Sequence, residues 1–163
     1  MDKIQIHEAV TEAEIQHFWK ELNAYHERDI FPDPEDEDLE YFLGNEYRAD
    51  MESIHDRQKD RARYLFFRRE GREIGFALAV IYDTEDFKCF LMDFCVYPQF
   101  RGNGTGVSSA ASFLTWAKEN GAAYVELNSF TVERTRFWKK SGFVENGADE
   151  WGDTLMILWL QKD

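Results

Sequence analysis

Apolar and polar residues alternate along "KIQIHEAV", which predicts a β-strand near the start of the chain. Thr11 follows with Glu14 three residues on, the pattern of a capping box at a helix start. Ile15, Phe18, Trp19, Leu22 and Tyr25 then repeat at helical spacing, and the helix is expected to stop before the prolines of "FPDPEDED". In "DLEYFLGNEYRADMESIHDR" the apolar positions predict one or two short helices lying over the domain. "ARYLFFRREGREIGFALAVIYD" reads as two strands joined at Glu70-Gly71, and "KCFLMDFCVY" as a third that ends at Pro98. A helix follows, with Val107, Ala110, Ala111, Leu114 and Ala117 as its expected apolar stripe and Gly121 at its end. The remaining expectations are a strand in "AAYVELNSF", a short helix in "VERTRFWKKSGF" and a last strand in "DTLMILWL".

That order predicts an α/β (α+β) fold, with a mixed sheet and helices on it. The length of 163 residues is that of one domain, here 1–163, with no internal repeat, low-complexity run or linker. Apolar residues at 44% and aromatic residues at 16% supply a core.

The net charge of -13 changes the picture of partners. Nucleic acid is an unsuitable one, since its phosphates must be met by Lys and Arg, and an anionic membrane surface is unsuitable for the same reason. A cationic substrate suits the charge, and so does plain solubility. No apolar run reaches the roughly 18 residues of a membrane span. "MDKIQIHEAV" has no signal core, and Cys89 and Cys95 form no CxxC. On one extended strand those cysteines lie about 20 Å apart, beyond the roughly 7 Å that a disulfide spans. The expectation is a reduced, cytoplasmic protein. His7, His17, His26 and His55 show no metal-ligand spacing, so no metal is expected.

The densest chemistry lies in "VYPQFRGNGTG", where a strand gives way to a helix through three glycines in five residues. Glycines let backbone N–H groups close on a phosphate, and a helix start attracts anions. The P-loop pattern is not met, because Gly106 is followed by Val107 and Ser108. A dinucleotide turn needs GxGxxG, while here the spacing is GxGxG. Glu126 does fall near the position of a ribose-binding acid, but little chain remains to complete that fold. An empty tight turn stays open as the plain alternative.

Two motifs in order make the pattern more specific. Arg101, Gly104 and Gly106 form Arg-x-x-Gly-x-Gly after a strand, and "FWKKSGF" follows one helix and one strand later. Together they resemble the acyl-CoA loop and the aromatic-Tyr-x-x-x-Gly-Phe segment of the GNAT superfamily of N-acetyltransferases. The resemblance spans roughly residues 87–160 and extends weakly toward the N-terminus. It implies a mostly antiparallel central sheet of about six to seven strands, flanked by helices, with one splayed strand pair that admits acetyl-CoA.

By position, the resemblance assigns the pyrophosphate to Arg101, Gly102, Asn103, Gly104, Thr105 and Gly106, with the Arg101 side chain adding positive charge. It assigns the pantetheine arm to the backbone of Phe94, Cys95 and Val96, faced by Asn128. Trp138 stands where the family usually has a tyrosine acid, and Thr131 and Arg134 replace the usual Asn and Ala. An indole N–H donates a hydrogen bond but is no acid at neutral pH, so Trp138 is expected against the thioester end. Water, Tyr97 or Tyr124 are the substitutes for the acid.

Asp93, a lone acid in an apolar strand, is the first candidate base for an attacking amine. Cys95 as a nucleophile is the weaker idea, since a cysteine on an apolar strand is usually a small core residue. His26 and His55 are the histidines placed to touch an acceptor. The implied activity is acetyl transfer to a primary amine by direct attack in a ternary complex. The acidic stretch 33–60 points to a cationic acceptor such as a polyamine, an aminoglycoside or a lysine side chain. The alternative is a CoA-binding regulatory module without transferase activity. Members of the superfamily are often homodimers.

Overall fold

A computed structural model describes residues 3–161. Seven strands form one sheet in the order β1-β2-β3-β4-β5-β7-β6. They are β1 (Ile4–Glu8), β2 (Ala62–Arg69), β3 (Arg72–Ile81), β4 (Lys88–Val96), β5 (Tyr124–Ser129), β6 (Val144–Ala148) and β7 (Thr154–Trp159). Every pairing is antiparallel except β4 with β5.

Helices cover both faces, which is why β2 and β3 read as near-continuous apolar runs. On one face Leu65 and Phe67 meet Ala110, Phe113 and Ala117 of α4 (Thr105–Glu119). On the other, Tyr64 and Phe66 meet Phe18, Trp19 and Leu22 of α1 (Glu12–Tyr25), with Tyr47 and Met51 of α3 (Asn45–His55) closing the layer. The capping box forms as expected: Thr11 Oγ1 accepts from the Glu14 N–H, and Glu14 reaches back to the Thr11 N–H.

Three features depart from the sequence expectations. The inward stripe of α4 is Ala110, Phe113, Trp116 and Ala117, while Val107 and Ala111 face outward. Both stripes have helical spacing, and the large rings of Phe113 and Trp116 decide which one turns in. Strand β6 lies outside the expected elements, because all five of its residues are exposed and "VENGA" carries no alternation. Finally, α1 runs into a π-helical turn over His26–Ile30, a widening that turns His26 inward.

The parallel pairing of β4 with β5 decides where a site can lie. It runs only from Lys88–Tyr124 to Phe90–Glu126. Beyond it β5 stays paired to β7 as far as Ser129, and β4 stays paired to β3 as far as Val96. The sheet therefore opens into a wedge between two strands that each keep their outer partner.

Candidate active site

A cavity of about 1150 Å³ fills this wedge. Its walls come from β4 (Leu91 to Val96), the glycine turn, α5 (Val132–Lys140) and the α1–α3 layer.

The turn owes its shape to two glycines and an asparagine. Gly102 and Gly104 have φ of 95° and 78°, Asn103 lies between them at 52°, and Gly104 caps α4 in the left-handed region. A Cβ at Gly102 or Gly104 would meet nothing within 4 Å. Conformation, not crowding, requires glycine there. Gly106 differs, because a Cβ on it would lie 2.8 Å from the Phe137 ring. Its bareness lets α4 pack on α5. At the start of the 15-residue helix α4 the Thr105 and Ser108 N–H groups donate to the Gly102 and Gly104 carbonyls, and Gly106 and Val107, the other residues of that first turn, line the cavity. Arg134, Arg136 and Lys140 of α5 also line it, so a chain of charge -13 concentrates positive charge here. Arg101 contributes less than expected. Its Nε donates to the Val96 carbonyl at 2.8 Å, and its Nη2 pairs with Asp29 at 2.8 Å.

Asp93 reaches the cavity through a bulge. β3 pairs Leu78 with Asp93 and Ala79 with Leu91, so Met92 is the extra residue. Strict alternation would put Asp93 beside Leu91, in the α4 layer. The bulge turns it to the α1 side, and for the same reason Cys89 and Cys95 lie in opposite layers. Asp93 is 9% exposed; its Oδ1 is 2.8 Å from His26 Nε2 and its Oδ2 accepts the Tyr47 O–H at 3.0 Å. The other ring nitrogen, His26 Nδ1, is buried without a protein partner. Burial and the neighbouring Asp93 push the Tyr47 phenol well above its ordinary value, so it remains a donor. His26 and Tyr47 are 67 and 46 residues from Asp93, a juxtaposition that no local pattern announces.

Trp138 lines the cavity but is packed among Phe94, Phe137 and Phe143 with ring centroids 4.8–5.2 Å away. It is a wall. Thr131 caps α5, its Oγ1 accepting the Arg134 N–H at 3.1 Å. The Arg134 side chain donates to the Tyr25 hydroxyl at 3.2 Å. Asn128 lies on the facing strand and donates weakly to Asp149 at 3.4 Å. Tyr97 and Tyr124 do not line the cavity; their hydroxyls donate to Glu73 at 2.5 Å and Asp86 at 2.6 Å. His55 is likewise elsewhere, stacked on Tyr64 and bonded to the Ala62 carbonyl. Of the two histidines singled out, only His26 belongs to the site.

The acids of 33–60 do not line the cavity either. Glu35, Glu37 and Asp38 face solvent, and the segment turns Tyr41, Phe42, Tyr47 and Met51 inward.

Cys95 lines the cavity, yet burial pushes its thiol up to about 11, and that of Cys89 to about 12. A thiol reagent at pH 8 is expected to label neither cysteine in the native protein and both after denaturation, as read by intact mass. Rapid native labelling of Cys95 would revive it as a nucleophile. Among the described residues no group of three or more His, Cys, Asp or Glu side chains is placed to hold a metal, and no helix is long and apolar enough to cross a membrane.

No curated protein sequence matches the chain. Solved structures match its fold over nearly the whole length. PaiA N-acetyltransferase from Thermoplasma acidophilum, solved in complex with coenzyme A, is 15% identical with a TM-score of 0.71, covering 97% of this chain and 99% of its own. Aminoglycoside acetyltransferase AAC(6')-Ib, solved with coenzyme A and kanamycin, is 14% identical with a TM-score of 0.65, covering 96% and 95%. A streptothricin acetyltransferase described as such from Bacillus anthracis, solved with acetyl coenzyme A, is 19% identical with a TM-score of 0.54 over 68% of each chain. The model of the acetyltransferase (GNAT) family matches residues 16–143, which hold the bulged strand, the glycine turn and "FWKKSGF". On that match, the chain belongs to the acetyltransferase (GNAT) family.

Proposed function

We propose that the protein moves an acetyl group from acetyl-CoA to a primary amine by direct attack in a ternary complex. The observation that carries this is the wedge between β4 and β5, with a glycine turn at one end and the Asp93 carboxylate in its wall. Acetyl-CoA supplies the activated acetyl thioester. The turn from Arg101 to Gly106 and the start of α4 fit its pyrophosphate, with open space at Gly102 and Gly104 and with the Arg101 and Thr105 N–H groups already bonded to the Pro98 and Gly102 carbonyls. Arg136 and Lys140 add charge for its phosphates, while Arg134 is engaged with Tyr25. The freed backbone of Phe94, Cys95 and Val96 suits the pantetheine amides, in the manner of an added strand, and Asn128 faces it.

An amine arrives as ammonium at neutral pH and must lose a proton before it attacks. Asp93 is the group that accepts it, held in one orientation by His26 and Tyr47. A backbone N–H of the freed β4 stretch donates to the carbonyl oxygen as charge grows there. Tyr25 takes the place of the missing motif tyrosine. Its oxygen accepts from Arg134, so its own O–H remains to donate a hydrogen bond to the sulfur as negative charge grows on it. Burial holds that phenol protonated throughout the physiological range. Tyr25→Phe is therefore expected to lower kcat by roughly tenfold with the KM for acetyl-CoA unchanged. An unaltered kcat would remove Tyr25 from the chemistry.

Initial rates against both substrates test the reading. Intersecting lines in reciprocal plots are expected, and parallel lines would indicate an acetylated enzyme instead. In thermal unfolding, CoA should raise the Tm while NAD and ATP leave it unchanged. A second reading, a CoA-binding module without transfer, is favoured only by Trp138 at the tyrosine position. It requires a Tm rise with CoA and no thiol release with any amine.

A further inference from the structure

We infer that the acceptor is a primary amine with a single positive charge, joined by a short chain to an aromatic or flat apolar body. This rests on the transferase reading and names its acceptor class. The acceptor end of the cavity is built by the π-helical turn, α2 (Leu39–Leu43) and α3. Its walls there are Phe31, Tyr41, Phe42, Tyr47 and Met51. Phe31 and Phe42 stack at 4.9 Å and 26°, and Phe42 lies 4.8 Å from Tyr47. Such walls take flat apolar groups.

Charge sets the number of cations. The cavity's carboxylates are Asp29, Asp93 and Glu133. Asp29 already pairs with Arg28 and Arg101. Glu133 is exposed on α5, beside Arg134. Asp93 is left to receive one ammonium group, and its carboxylate has lone-pair capacity beyond the two bonds it accepts. A polyamine or an aminoglycoside would bring further cations against the acceptor-end walls Phe31, Tyr41, Phe42, Tyr47 and Met51, none of which is a carboxylate. The linker must be short, because Tyr47 touches Asp93 with its hydroxyl and Phe42 with its ring.

The test compares kcat/KM for 2-phenylethylamine, butylamine, spermidine and kanamycin, with thiol release as readout. The phenyl amine should lead spermidine and kanamycin by roughly tenfold or more. Phe42→Ala should cost the phenyl amine roughly tenfold and butylamine much less. Phe31→Ala provides the same comparison should Phe42→Ala fail to fold. A lead for spermidine or kanamycin, or an equal loss for all amines in the folded variant, overturns the inference while the transferase reading stands. No thiol release with any amine overturns both.

Discussion

Asp93→Asn is expected to lower kcat/KM for the amine at neutral pH by at least roughly tenfold, while affinity for CoA remains near that of the parent. The substitution keeps shape and removes the proton acceptor. It also leaves the surrounding bonds repairable. An amide oxygen can accept from His26 or Tyr47, and the Tyr47 hydroxyl can accept from the amide N–H. Stability should change little, so a loss of rate can be assigned to chemistry. The loss should shrink as pH rises, because more of the amine then arrives already deprotonated. A variant with full activity at neutral pH would show that Asp93 is only a satisfied buried acid.

The largest structural effect is expected at Gly75, which lies opposite Val96 at the open end of the wedge. A Cβ there would sit 2.1 Å from the Cys95 carbonyl oxygen and 3.0 Å from Val96 Cα. Both are backbone atoms, so no side chain can rotate away. Gly75→Val must push β4 off β3, at about 3 kcal/mol or more. For a chain of this size that is a fall in Tm of roughly 6–12 °C. Any folded fraction should bind CoA more weakly, because the stretch from Phe94 to Val96 is displaced. Unfolding scans with and without CoA measure both effects. An unchanged Tm would mean that the strands are not so close.

Much of this was legible in the residues. Capping at Thr11, the Glu70-Gly71 hairpin and the glycine turn are local chemistry, and each forms where the chain announces it. The two spaced motifs were enough to point to the family. What escaped is non-local or depends on one extra residue. The bulge at Met92 decides which layer Asp93 faces, and a period-2 reading cannot see it. His26 enters the site through a π-helical widening that has no sequence signature here. The acidic stretch announces its charges, yet its interleaved rings are what reach the cavity. Likewise Arg134 stands in the sequence only as a departure from the motif, and its contact with Tyr25 bridges 109 residues. β6 left no trace because a fully exposed edge strand needs no apolar face.

The central claim is acetyl transfer, and its products test it most directly. Incubation with acetyl-CoA and 2-phenylethylamine, followed by mass spectrometry of the amine and titration of free thiol, should give one N-acetylated amine for each thiol released. Formation should be far slower with Asp93→Asn at equal CoA occupancy. Tight CoA binding with neither product, from this amine or any other, would contradict the account.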